Sequence, residues 1–220
     1  MIFLTKINRR YLQKNRMIKN IIFDLGGVLV KLDKDLCIKA FTKIGHPDFG
    51  RIINEYFQEG FFMDYEKGLI STEEFRDKVR ENMETYASDL EIDKAMAAFL
   101  PELPIEKLNA LKFYSKNYRI FLLSNTNPIA IETVRPMFLK GGQQMSDYFE
   151  KMYLSFEMKC AKPDSVIFSM LLKDSGINPE ETLFVDDSIA NLEAASLFGI
   201  KTAHILQEND LINDLKPFLC

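Results

Sequence analysis

Three short hydrophobic runs in this chain break off at residues able to do chemistry. KNIIF (residues 19–23) runs into Asp24 and a Gly26-Gly27 pair, the run over 119–123 into Ser124, and TLFV (182–185) into Asp186 and Asp187. A further apolar run covers 201–206 and a weaker one 152–155. Runs this short, rich in β-branched and aromatic residues and bounded by turn signals, read as fully buried strands. Between them lie helical patterns over 105–116, 165–174 ending near Gly176, and 189–198 ending at Gly199. Strands alternating with helices of this size build βαβ units. The predicted fold class is therefore α/β: a doubly wound, Rossmann-like parallel sheet covered on both faces.

Residues 33–104 break the rhythm. They lack buried-strand runs and read as successive helices over 35–44, 49–58, 71–85 and 91–100. Ser71 and Glu74 have the spacing of a capping box for the third. The stretch reads as a helical insertion between the first two core strands, closed by PELP at 101–104. The expected organisation is an N-terminal extension (1–16), an α/β core (17–32 and 105–220) and an α-helical cap (33–104). Phe61, Phe62, Met63, Asp64 and Tyr65 follow Gly60 in an expected loop, placed to reach over the core or to pack the cap.

In an open parallel sheet, ligands bind where loops converge at the carboxyl ends of the strands. Asp24, Ser124 and the Asp186-Asp187 pair all fall there, so residues more than a hundred positions apart are expected to meet in one crevice. A carboxylate attacking phosphorus splits hydrolysis into two steps through an aspartyl-phosphate. The charge of the transferring phosphoryl group needs cations and oriented donors. Asp24 suits the nucleophile, Lys162 in CAKPD (160–164) a fixed ammonium, Ser124 a hydroxyl with neighbouring amides, and the late aspartates a Mg²⁺ site built from hard oxygens. Singly, each residue has a plainer reading: Asp24, Ser124 and Asp186-Asp187 as caps or turn formers, Lys162-Pro163 as a solvated turn. In this order they favour phosphoryl transfer.

Composition narrows the alternatives. A net charge of −4 gives no support to nucleic-acid binding, and no apolar run reaches the length that crosses a bilayer. Three widely spaced cysteines make neither a disulfide framework nor a zinc site and suit a reducing cytoplasm. Only two histidines are present, so chemistry that needs a His base or several His ligands has almost nothing to work with. Residues 1–16 are basic and lack the apolar core of a secretory signal.

In order and spacing, these segments resemble the haloacid dehalogenase-like hydrolase superfamily: an hhhhDxDx strand, an hhhhS/T strand, a lysine and a strand ending in an acidic pair. The likeness covers nearly all of 17–220, and the insertion falls where that family carries a C1-type helical cap. FDLG-x-V at 23–28, YE-x-G-x-IS at 65–71, LSNTN at 123–127, the KP turn at 162–163 and DD-x₃-N at 186–191 are similar to the bacterial α-D-glucose-1-phosphate phosphatase subgroup. The phosphatase-like domain of soluble epoxide hydrolases is a more distant likeness.

The resemblance implies Asp24 as nucleophile and Mg²⁺ ligand, with the Gly26 backbone carbonyl also on the metal. Ser124 and Asn125 would bind the phosphoryl group, and Lys162 would bridge it to Asp24. Asp187 aligns best with the direct metal ligand, Asp186 serves as ligand or holder of a metal-bound water, and Asn191 supports them from behind. The expected enzyme is a cytoplasmic Mg²⁺-dependent phosphatase of a small phosphorylated metabolite such as a sugar phosphate, monomeric or homodimeric, with no nucleic-acid or membrane partner.

Gly26 departs from the family pattern, which places there an aspartate that protonates the leaving oxygen. Losing such a group typically costs about 10²–10⁴-fold. The glucose-1-phosphate phosphatase subgroup shares the glycine, so activity stays compatible with it. The competing readings are a non-catalytic binding or regulatory homologue, a dehalogenase-type hydrolase, and phosphonate cleavage through a cap lysine.

Overall fold

The structure, a computed structural model, describes residues 17–45, 60–83 and 86–219. The expected N-terminal extension (1–16) and helix over 49–58 lie outside the described residues, as do His46, Thr85 and Cys220.

The apolar runs form a five-stranded sheet in the order β3-β2-β1-β4-β5, parallel throughout: β1 (Asn20–Phe23), β2 (Arg119–Ser124), β3 (Lys151–Leu154), β4 (Thr182–Asp186) and β5 (Lys201–His204). Alternating side chains leave opposite faces of a strand, and the packing follows that period. Ile21, Phe23, Ile120, Leu122, Leu183 and Val185 enter one core cluster, whereas Ile22, Phe121, Leu123 and Phe184 enter another. Both faces are covered, which is why these strands carry continuous apolar runs rather than an alternation.

The first face is covered by helix α5 (Ile105–Tyr114) through Leu108, Leu111 and Tyr114. The second is covered by α8 (Ser165–Ser175) through Ile167, Phe168 and Leu171, and by α9 (Ile189–Ser196) through Leu192 and Ala195. Gly176 ends α8 in a left-handed C-cap. Two short helices, α6 (Pro128–Val134) and α7 (Ser155–Met158), follow β2 and β3 directly. The sheet runs outward from β1 in both directions, so the first turn after β1 opens onto the crevice at the switch point.

Between β1 and α5 the described helices are α1 (Lys34–Lys43), α2 (Gly60–Glu66), α3 (Thr72–Met83) and α4 (Asp89–Ala97). They enclose a further apolar cluster, with Phe41, Phe62, Tyr65, Phe75, Val79 and Ile92 buried and Ile129 of α6 joining it from the core. The expected capping box forms: the Glu74 amide donates to Ser71 Oγ (3.1 Å) and the Ser71 amide to Glu74 Oε2 (2.7 Å). Ser88 and Glu91 repeat that device and start α4 two residues before the expected position.

One expectation is corrected. Phe61–Tyr65 is not a loop but lies within α2. Its aromatics fall three and four residues apart and share a helical face. Tyr65 stacks on Phe75 with centroids 4.3 Å apart, Phe62 meets the same ring edge-on, and Phe61 is partly buried against them. Tertiary packing thus recruits the segment into a helix. The chain enters and leaves this helical layer side by side: Lys31 N donates to Glu102 O (2.8 Å) and Asp33 N to Phe99 O (2.9 Å). Among the described residues, no helix is long and apolar enough to cross a membrane.

Candidate active site

Parallel register brings the strand ends together. Phe23 lies opposite both Leu122 and Val185, so Asp24, Ser124 and Asp186 reach one edge of the sheet. The Asp24 amide donates to Val185 O (2.9 Å), which fixes the residue just past the end of its strand.

Lys162 arrives at the same point from the loop before α8. Its Nζ lies 2.8 Å from Asp24 Oδ1, 2.7 Å from Asp186 Oδ2 and 3.0 Å from Leu123 O, so all three N–H bonds have acceptors. The ammonium also sits 5.4 Å from the centroid of the Phe184 ring. With a side chain only 1% exposed, Lys162 is no solvated turn residue. The Asn125 side chain holds this loop: Oδ1 accepts from Lys162 N and Nδ2 donates to Lys162 O, each at 2.8 Å. Its amide is therefore engaged on the lysine's main chain. Ser124 is buried, its hydroxyl 3.3 Å from Asn125 O.

The two late aspartates differ in what surrounds them. Asp186 is fully buried and saturated: besides Lys162 on Oδ2, its Oδ1 accepts from Ser188 N (2.8 Å) and Asn191 Nδ2 (3.0 Å). Asp187 is half-buried, and its backbone oxygen lies 3.0 Å from His204 Nε2. Among the described residues, no side chain donates a hydrogen bond to the Asp187 carboxylate. Gly27 lies against it with φ of +75°, and a β-carbon there would fall 2.1 Å from Asp187 Oδ2. The turn after β1 can approach the acidic loop only because position 27 is glycine.

Three carboxylates share one ammonium. One oxygen from each of Asp24, Asp186 and Asp187 lies within 4.8 Å of the others. Burial pushes the Asp24 carboxyl up to about 7, Lys162 draws it down, and Asp186 and Asp187 raise it again. Burial and then Asp186 also raise Asp187, with Lys162 opposing. For Lys162 the order reverses: burial works against the ammonium, but Asp24 and Asp186 outweigh it and leave its pKa raised. The lysine stays charged, and this one ammonium faces three carboxyl groups, a surplus of acid over base. That surplus, on hard oxygen donors, suits a divalent cation such as Mg²⁺.

The site opens into a cavity of about 500 Å³ whose wall includes Asp24, Gly26, Ser124, Asn125, Lys162 and Asp187. All the sequence-predicted site residues lie on it or, for Asp186, directly behind it. The opposite wall comes from the helical layer and its exit: Met63 and Glu66 of α2, Met96 of α4, then Phe99 and Leu100. Four residues escaped the sequence reading. The Gly-Gly pair signalled Gly27, and the YE-x-G match contained Glu66. Ser155 and His204 carried no local signal, because their partners Thr126, Glu66 and Asp187 come from other elements.

The haloacid dehalogenase-like hydrolase family model matches residues 18–199. D-ribitol-5-phosphate phosphatase of Bacteroides thetaiotaomicron is 37% identical over 187 residues, 84% of this chain and 91% of that enzyme. A phosphorylated carbohydrates phosphatase of Thermotoga maritima is 27% identical over 212 residues, 90% of this chain and 89% of the relative. Among solved structures, a wild-type haloacid dehalogenase family enzyme of Bacteroides thetaiotaomicron in complex with magnesium and inorganic phosphate superposes with a TM-score of 0.82. It is 44% identical, with 88% of this chain and 96% of that chain covered. With the family model spanning both the strand-end acids and the helical layer, this chain belongs to the haloacid dehalogenase-like hydrolases.

Proposed function

We propose that this protein is a Mg²⁺-dependent phosphatase that hydrolyses a small phosphorylated metabolite, of the sugar or sugar-alcohol class, through a phosphoryl group carried on Asp24. The observation that carries the reading is the buried Lys162 ammonium held between Asp24 and Asp186 at the floor of the cavity. The likeness to D-ribitol-5-phosphate phosphatase and to a phosphorylated carbohydrates phosphatase supports the substrate class.

In this mechanism an Asp24 oxygen attacks phosphorus in line with the leaving oxygen, and water then cleaves the aspartyl-phosphate. Lys162 neutralises part of the charge on the phosphoryl oxygens from a buried position, where charge is screened less than at the surface. Ser124 and the turn at Asn125 orient the group, while the Asn125 side chain fixes the lysine loop. Mg²⁺, when bound, supplies charge compensation between the anionic nucleophile and its anionic substrate. Asp24, Asp187 and the Gly26 carbonyl would hold it. Asp186, saturated by Lys162, Ser188 and Asn191, is better placed to orient from behind, and Asn191 acts through it.

Residues 33–104 act as the cap. Their apolar cluster and the side-by-side entry and exit of the chain support a compact layer seated over the floor. The buried free thiols Cys37 and Cys160 suit a cytoplasmic enzyme, working as monomer or homodimer without nucleic-acid or membrane partners.

The test is phosphate release from a panel of sugar and sugar-alcohol phosphates with and without Mg²⁺. Release is expected only with the metal, and Asp24→Asn should lower it by about 10⁴-fold or more, as losing a covalent nucleophile does. Release without Mg²⁺, or wild-type turnover in the variant, overturns the reading.

A further inference from the structure

The floor lacks the carboxyl group that would protonate a departing alkoxide, because position 26 is glycine. Another acid therefore has to be sought on the cavity wall. Among the described residues lining it, the carboxylic acids are Asp24, Asp187 and Glu66. Asp24 is the nucleophile and Asp187 faces the metal position, which leaves Glu66, the last residue of α2, on the wall opposite the phosphoryl site.

Glu66 is held there by its main chain. Ser155, fully buried at the start of α7, places its Oγ 2.6 Å from Glu66 O and 3.0 Å from Thr126 O. The same oxygen accepts from Thr126 N at 2.9 Å. One hydroxyl thus ties the end of α2 to the loop after β2. Two residues on, Gly68 adopts φ of +60°, and a β-carbon there would fall 2.2 Å from Phe156 O. Lys159 Nζ donates to Gly68 O and closes the dock. The segment bearing Glu66 is therefore pinned to the core at two points, as an acid that must meet one leaving atom requires.

The side chain itself is uncommitted: among the described residues, none donates a hydrogen bond to its carboxyl. Burial pushes that carboxyl up to about 7, with the Lys162 ammonium the one opposing influence. A carboxyl held near neutrality has both a proton to give and a usable conjugate base.

We propose that Glu66 is the general acid and base of this site, supplying from the helical layer the carboxyl group that Gly26 does not. The proposal rests on the phosphatase reading above. As Asp24 attacks, the bond from phosphorus to the leaving oxygen breaks and its electron pair stays on that oxygen. The Glu66 proton moves there, giving an alcohol, an aspartyl-phosphate and a Glu66 carboxylate. A water then loses a proton to Glu66 and attacks phosphorus, which releases inorganic phosphate, restores the Asp24 carboxylate and reprotonates Glu66.

The test compares kcat/KM of the full chain with saturating Mg²⁺ on two substrates: the sugar or sugar-alcohol phosphate turned over best, and p-nitrophenyl phosphate, whose nitrophenolate leaves without a proton. For the isosteric Glu66→Gln, kcat/KM on the first is expected to fall about 10²–10⁴-fold. The loss on p-nitrophenyl phosphate should be smaller by about tenfold or more, a split that defines proton donation to the leaving group. Glu66→Asp, which keeps the acid one methylene shorter, should fall between. Equal losses on both substrates, or a loss on the sugar phosphate confined to KM, overturn the proposal and leave the phosphatase reading standing. No phosphate release by wild-type protein from either substrate overturns both.

Discussion

On the strand-end wall of the cavity, buried charge is met by charge: Lys162 touches Asp24 and Asp186, and Asp186 is further bound by Ser188 and Asn191. On the helical wall a single carboxyl, that of Glu66, stands among Met63, Met96, Phe99 and Leu100 with no hydrogen-bond donor among the described residues. The first wall is over-determined, and its geometry does not depend on substrate. On the second, the Glu66 main chain is tied to Ser155 while its carboxyl is left to answer a ligand. Such a division allows one phosphoryl-transfer floor to serve many substrates while the opposite wall selects among them.

The comparison breaks most readily at Lys162. If the floor is a mutually compensating set, Lys162→Met removes the only ammonium among the described residues that touches two buried carboxylates. Breaking a buried pair by deleting one partner costs roughly 3–5 kcal/mol. Metal-free protein should lose that much stability in denaturant titration, and phosphate release should disappear. Mg²⁺ should recover part of the stability, because it compensates the same acids. A loss below about 1 kcal/mol would mean that water already screens the floor as it does surface pairs.

Gly27 sharpens the comparison on the metal side. Its positive φ and the 2.1 Å approach to Asp187 Oδ2 leave no room for a side chain. Gly27→Ala must displace the Asp187 carboxylate or the turn after β1. Disturbing groups that orient a metal ligand typically costs about 10–100-fold in affinity or activity. The expected readout is a rise of that size in the Mg²⁺ concentration for half-maximal phosphate release, with p-nitrophenyl phosphate as reporter. An unchanged Mg²⁺ dependence would remove Asp187 from the metal site.

The two walls were also unequally legible. The floor was readable because a buried parallel strand leaves a continuous apolar run, and the residue that ends it is placed at the crevice by topology alone. Asp24, Ser124 and Asp186 could each be a cap or turn former, and it was their shared place at strand ends that set them apart. Lys162 lies on no strand, and only its companionship with the other segments raised it above a solvated turn. The helical wall was harder. Phe61–Tyr65 read as loop because Gly60 precedes it, whereas Tyr65 stacking on Phe75 makes it helix. Glu66 stayed inside a matched motif without a role, since its burial and its tether to Ser155 arise from contacts 89 positions apart in the chain. Contacts of that span leave no periodicity to read.

The smallest expected effect falls on Gly26, where the walls compete for one task. Its φ lies outside the left-handed region, and a β-carbon there would meet only the Leu32 side-chain end at 3.1 Å, which can yield. Gly26→Asp should therefore fold and offer a second acid to the leaving oxygen. With Glu66 already supplying the proton, kcat/KM on the sugar phosphate should change by less than about threefold, a small part of the 10²–10⁴-fold such a group can provide. In a Glu66→Gln background the same substitution should recover tenfold or more of what was lost, because the floor then does what the helical wall no longer can. A large gain from Gly26→Asp in the otherwise wild-type protein would mean that proton donation had been missing, and that Glu66 serves the substrate's hydroxyls rather than its leaving oxygen.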